Sequence, residues 1–202
     1  MTVTADAPRS RAEEDAVLVA RAAAGDERAF AVLYDTHRAR LYRLAYGIVL
    51  DPNEAREAVQ EAFLKLHLAA PAWEPRAAIG TWLHRVVLHH CLGLKQRLLR
   101  FARPMLAPRT QKTPESEAVL GEAMRIVEEE LAKLSLKQRA VATLFLDGEL
   151  APAEIAPLVG MTPNATRVTL HRALASLRAT LAAAGIDATP TPDELALAEE
   201  HD

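Results

Sequence analysis

The side chains best suited to covalent or metal chemistry are few in this chain, and their spacing argues against each use. His89 and His90 are adjacent. On a helix, neighbours point about 100° apart, so the two imidazoles cannot share one ion. Cys91 is the single cysteine, which leaves no thiolate pair for zinc and no internal disulfide; it reads as a packing residue. Glu128, Glu129 and Glu130 form an acidic run that reads as a solvated helix face. The glycines are isolated, so no loop cradles a phosphate. The expectation is a protein that is not an enzyme and has neither metal nor cofactor.

Binding chemistry is more visible. Between Pro75 and Lys112 there is no Asp or Glu, although the whole chain carries a net charge of −3. Eight cations fall in that window: Arg76, Arg85, Lys95, Arg97, Arg100, Arg103, Arg109 and Lys112. His84, His89 and His90 add to it. Such a stripe is the electrostatic footprint of a surface that meets phosphates. Trp73 precedes it in a proline-bearing loop, and cations beside a flat aromatic suit unpaired bases. Trp82 has helical spacing with Val86 and reads as core. A second acid-free stretch lies between Glu154 and Asp187. It holds Arg167, His171, Arg172 and Arg178 on the second helix of a helix-turn-helix pattern. Asn164, Arg167, Val168 and His171 would reach base edges there, with Arg172 and Arg178 on phosphates.

The elements that must carry these residues are helical. Half of the residues are hydrophobic and only 4% aromatic; much of the apolar content is Ala and Leu, which favour helix. The expected class is all-α: two small helical domains joined by a flexible linker. Residues 1–12 read as a disordered leader. Helices are expected over about 13–24, with Val17, Leu18 and Ala22 inward, and over 27–50 and 52–70. Gly25 stops the first, and Asp26 and Asp51 cap the next two. Residues 71–80 read as a loop, and a fourth helix over 81–100 completes a domain of 13–100. Prolines and scattered cations break all periodicity over 101–116, the linker. Helices over 117–133, 136–146, 152–159 and 163–184 make the second domain, 117–185, with Ser135 and Thr162 as caps. Residues 186–202 form an acidic tail, either a solubilising end or a segment that folds back on a basic face. The N-terminus lacks a signal-peptide core and no apolar run would span a bilayer, so a cytoplasmic location without membrane insertion is expected.

Several motifs in order resemble one family. Gly25-Asp26, Ala29-Phe30 and Leu33-Tyr34 open the first half; Val59-Gln60-Glu61-Ala62-Phe63 and Trp82-Leu83 with Arg85 follow. Together with the segment from Leu134 to Arg178, they make the chain similar to the extracytoplasmic-function sigma factors of bacterial RNA polymerase, over about 15–100 (region two) and 128–181 (region four). The resemblance implies a factor that binds core RNA polymerase and directs promoter recognition, melting and initiation. It implies polymerase contact through Glu57, Gln60, Glu61 and Leu64. It implies capture of the minus-ten element, including the single-stranded non-template strand, by Trp73, Arg76, Arg85, His89, Lys95 and Arg97. Duplex contact at the minus-thirty-five element falls to Asn164, Arg167, Val168, His171 and Arg172. An anti-sigma factor is a further implied partner. The chain departs from the family pattern at His89, Gly93 and Gln96, where Asn, Asp and Arg are usual, and at 164–166, Val168 and Thr169. Pro157 also falls inside the first helix of the helix-turn-helix. These departures point to weaker duplex binding. Two rivals stay open at this level: a sigma-like interaction protein that binds polymerase or a regulator without opening promoters, and a free-standing helix-turn-helix regulator.

Overall fold

A computed structural model describes residues 11–72, 78–101, 118–147 and 150–186. Its described residues are helical throughout, without a strand: α1 (Arg11–Ala23), α2 (Glu27–Val49), α3 (Pro52–Ala69), α4 (Ile79–Phe101), α5 (Ala118–Ala132), α6 (Leu136–Leu146), α7 (Pro152–Val159) and α8 (Pro163–Ala183). The all-α expectation holds. The expected linker and acidic tail fall outside the described residues, apart from Phe101 and Ile186, as does most of the leader.

The helices begin where side chains satisfy orphan backbone amides. Asp26 accepts from the amides of Arg28 and Ala29 at 3.0 and 3.1 Å. Asp51 accepts from those of Asn53 and Glu54 at 2.8 and 3.0 Å, and Pro52 takes the first helical position, where no N–H is needed. Ser135 and Gln138 form a reciprocal capping box. Thr162 accepts from the amide of Ala165 at 3.2 Å. Gly160 ends α7 in the left-handed region (φ 64°) that lets the chain turn directly into α8. Leu50 is the one non-glycine residue with positive φ among the described residues, at 55°. That conformation costs roughly 1–2 kcal/mol. Its side chain is buried and packs with Leu131 and Ala142 of the second half, which offsets the strain.

Helix α2 is the spine. It packs against α1, α3, α4 and α6, burying Leu33, Leu41, Leu44, Ala45 and Ile48. Ala55, Val59, Ala62, Phe63 and Leu66 of α3 meet it, as the periodicity predicts. Leu83, Val87, Leu88 and Cys91 supply the inward face of α4, while Trp82 and Val86 flank it half-buried. Around α6, the helices α7 and α8 enclose Val141, Leu144, Ile155, Val159, Leu170 and Leu174. The buried cluster runs without a break from α1–α4 into α6, α7 and α8.

Three local expectations need correction. Val17 is 46% exposed and not inward. Asp15 and Val19, one helical turn apart, set the inward face of α1, and Val17, two residues from each, falls opposite. Asp15 is drawn in by His37, whose Nε2 lies 3.0 Å from its carboxylate with both side chains buried. Pro71 does not simply stop the chain: Ala70–Ala72 makes a 3-10 turn, and α4 begins at Ile79, two residues before Thr81, because Ile79 is itself fully buried. Finally, Glu130 is 5% exposed, not part of a wet face. Its carboxylate takes hydrogen bonds from Ser176 Oγ at 2.7 Å and Thr180 Oγ1 at 2.9 Å and pairs with Lys133, fixing α5 on α8.

Two predictions follow from this packing. Leu33→Ala removes a fully buried side chain and costs about 2–5 kcal/mol of unfolding free energy. Val32→Ala, at a neighbouring site that is 48% exposed, changes it by less than about 0.5 kcal/mol; urea titration of both variants reads the difference. Lys133, then the Ser176 and Thr180 hydroxyls, hold the Glu130 carboxyl below its ordinary value against the opposing effect of burial. A depressed folded pKa contributes stability above the unfolded value of about 4.3, lost as pH falls through the folded value. Glu130→Gln therefore flattens the acid limb of the stability curve relative to the wild type, in denaturation series run from pH 6 downward.

Candidate nucleic-acid interface

The expected nucleic-acid residues sort by helix face. On α4, Arg85 and His89 are exposed and one turn apart, so they share a face that points away from Leu83, Val87 and Cys91. No acid occurs in α4. Lys95 and Arg97 continue the same helix, but their side chains lie outside those described, as do Trp73 and Arg76 altogether. Gly93 sits within α4 without interrupting it. His84 is turned inward: its Nδ1 lies 2.6 Å from the carbonyl oxygen of Gly80 and its Nε2 lies 3.4 Å from Asp147.

The helix-turn-helix is formed as expected. Helix α7 runs Pro152–Val159, Gly160 to Thr162 make the turn, and α8 follows. Ala151 lacks a capping side chain, but its amide donates to Glu154 at 2.9 Å. Pro157 is exposed on α7 and the helix persists through it. Thr166 is fully buried; its Oγ1 donates to the carbonyl of Thr162 at 3.0 Å, holding the first turn of α8 on α7. On the outer side of α8, Asn164, His171 and Arg172 are exposed, and Arg167, Val168 and Thr169 half-buried. Asn164, Arg167, Val168 and His171 recur at three and four residues, a stripe that begins at the helix N-terminus. A groove takes a helix in this presentation: its early residues meet base edges and its amide end faces phosphate.

A third surface lies on α3. Glu57, Gln60 and Leu64 are exposed, and Glu61 is half-buried with an ion pair to Lys65 at 3.2 Å. Leu68, 70% exposed, extends this row by one turn beyond Leu64, which is itself 54% exposed. Sequence reasoning missed Leu68; the signal was present as a leucine four residues after Leu64 and off the buried stripe. Beneath the row, Phe63 packs on Tyr34 with ring centroids 4.7 Å apart. The face is thus rigidly backed, with exposed leucines bordered by carboxylates, which suits a helical protein partner.

Elsewhere, His90 lies against Glu57 at 4.0 Å and Cys91 is buried. Among the described residues no group of three or more His, Cys, Asp or Glu is placed to hold a metal, and no helix is long and apolar enough to cross a membrane.

Comparison with known proteins agrees with this geometry. Residues 33–107 match the family Sigma-70 region 2. The chain is 31% identical over 164 residues to the ECF RNA polymerase sigma factor SigM of Mycobacterium tuberculosis, covering 81% of this chain and 82% of that one. It is 28% identical to SigX of Bacillus subtilis, named likewise an ECF RNA polymerase sigma factor, over 75% and 83% of the two chains. Among solved structures it is similar to CnrH, in complex with the cytosolic domain of CnrY, with a TM-score of 0.58 and 28% identity over 84% of this chain and 98% of that one. With the region-two match and a relative 31% identical over four-fifths of both chains, the chain belongs to the ECF sigma factors of RNA polymerase.

Proposed function

We propose that this chain joins core RNA polymerase in the cytoplasm and directs promoter recognition, DNA melting and transcription initiation. The observation that carries the reading is the presence, on one chain, of two separate exposed nucleic-acid faces: Arg85 and His89 on α4, and Asn164 to Arg172 at the start of α8. In this reading residues 13–100 act as region two and 117–185 as region four, with 101–116 joining them and 1–12 and 186–202 as ends. Glu57, Gln60, Glu61 and Leu64 dock on the polymerase. Trp73, Arg76, Arg85, His89, Lys95 and Arg97 hold the minus-ten element, and Asn164, Arg167, Val168, His171 and Arg172 read the minus-thirty-five duplex.

The physical roles differ between the faces. Unpaired bases are captured by stacking and by cations on the backbone, and their capture draws the duplex open without hydrolysis by this chain. No catalytic group is required. Base-edge contacts from α8 add discrimination, while Arg172 adds affinity without sequence preference. An anti-sigma factor is proposed as a further partner, as the family resemblance implies; the similar CnrH was solved with a protein partner, the cytosolic domain of CnrY.

Run-off transcription with purified core enzyme on genomic fragments tests the reading. A promoter-specific transcript that depends on this chain is expected; no transcript together with no association with core polymerase overturns it. Within that assay, Arg167→Ala weakens the cognate duplex by about 1–3 kcal/mol and relaxes selection at one position. Arg172→Ala lowers affinity on all sequences alike and reduces the salt slope by about 0.9. Leu64→Asp lowers association with core polymerase while leaving helix content, read by circular dichroism, unchanged.

A further inference from the structure

Helices α5, α6 and α8 leave an apolar groove between them. Leu131 and Leu134 form one wall, Ala142 and Leu146 the second, and Ala173 and Leu177 the third. The groove encloses about 410 Å³ and is partly open to solvent. Leu146 is 49% exposed, and Leu134 and Leu177 are half-buried. Leucines left wet beside one another favour a cover. The rim is cationic. Lys133 lines the groove with its side chain 65% exposed even while it pairs with Glu130; an ammonium has three donors, so a further carboxylate fits. Arg172 is exposed and stands one turn before Ser176, which lines the groove from α8.

The end of the described chain is close by. Helix α8 runs only about 9 Å from Leu177 to Ala183. Gly185 then takes a φ of 74°, and the amide of Ile186 donates to the carbonyl of Leu181 at 3.0 Å, so the chain turns back at the helix end. Residues 187–202 lie outside the described residues, and their sequence is what bears on the groove. They contain no Lys or Arg, and their apolar run, Leu195-Ala196-Leu197-Ala198, is flanked by Asp193-Glu194 and by Glu199-Glu200. Residues 187–194, between Ile186 and Leu195, span up to about 26 Å when extended, ample to reach the groove. We propose that the groove between α5, α6 and α8 is the docking site of this chain's own C-terminal segment: Leu195 and Leu197 enter beside Leu134, Leu146 and Leu177, and the flanking acid pairs meet Lys133 and Arg172. Charge selects this segment. The other apolar pair outside the described residues, Met105-Leu106, lies between Arg103 and Arg109, which have the same sign as the rim. Tethering helps as well: a short flexible link holds its end at a roughly millimolar effective concentration, so a weak contact suffices. A protein partner that takes this groove must displace the segment. The inference does not depend on the sigma-factor reading.

Thiol labelling in the full chain tests it. Leu146→Cys puts a thiol in the groove, and the buried Cys91 serves as an internal check, because it reacts only if the fold opens. The introduced thiol is expected to react at least about 3-fold more slowly in the otherwise native chain than in the same chain carrying Leu195→Ser with Leu197→Ser. A synthetic peptide of residues 187–202, added at millimolar concentration to that double-serine chain, restores the slow rate, and raising the ionic strength weakens the protection. Equal rates in the native and double-serine chains overturn the docking. Protection that survives the serine substitutions and deepens with protein concentration identifies a second copy as the cover, and also overturns it. Should Leu146→Cys fail to fold by circular dichroism, Leu134→Cys on another wall of the groove is read in the same way, with the same outcomes.

Discussion

Burial along α2 is the constraint on which the rest depends. A 23-residue helix has one apolar stripe in an ordinary two-layer domain, but α2 is covered by α1, α3, α4 and α6. Leu33, Leu41, Leu44 and Ile48 are withdrawn almost wholly from water, each contributing roughly 1.5–3 kcal/mol. Where a side chain would hold a neighbour off, the helix uses Gly47 and Ala45; where a polar group must enter, it brings a partner, as His37 does with Asp15. Helix α4 is positioned by the same logic. Its Gly80 fits against His37, a Cβ there standing 3.5 Å from the ring. The inward pull of Ile79, Leu83 and Val87 turns Arg85 and His89 outward. The exposed side of α4, with Arg85 and His89, is therefore a consequence of how its other side is buried.

Charge is sorted by a related rule. Three acids of the second half are turned to internal use: Glu130 ties α5 to α8, Glu128 takes the Tyr46 hydroxyl, and Asp147 takes Arg40. Burial and the nearby Glu128 carboxylate push the Tyr46 phenol well above its ordinary range, so it stays a donor at any working pH. The outer side of α8 has no acid of its own, since none occurs between Glu154 and Asp187. A chain with an acidic total can thus present local cationic faces, and screening by salt acts on those faces more than on the buried pairs.

The legible part of the fold is the part coded locally. Asp26, Asp51, Ser135 and Thr162 are caps in sequence and in structure. Helix bounds follow from them within about two residues, the usual uncertainty of helix ends. The helix-turn-helix was legible because Gly160 and Thr162-Pro163 mark a stop and a start three residues apart. Of the candidate site, the exposed faces of α3, α4 and α8 could be read from which residues remain after the apolar stripe is removed. What could not be read depends on distant partners. Val17 and Val19 are equally apolar, and only the His37–Asp15 pair decides which one turns inward. Glu130 looks like any member of a triple-Glu run until Ser176 and Thr180, nearly fifty residues on, arrive beneath it. Arg40 and Asp147 are 107 residues apart and leave no periodic trace.

Those distant pairs also join the first four helices to the last four. Arg40 and Asp147 keep part of their side chains in water, 31% and 14% exposed, and ion pairs of that kind contribute on the order of 1 kcal/mol. The apolar share of that junction is larger: one buried cluster runs from α2 and α4 into α6, α7 and α8, with Leu50 beside Leu131 and Ala142 as a smaller second group. The polar pairs therefore border a continuous apolar core: they set how α6 lies on α2 and α4, while the fully buried Leu, Ile and Val beneath them supply most of the burial.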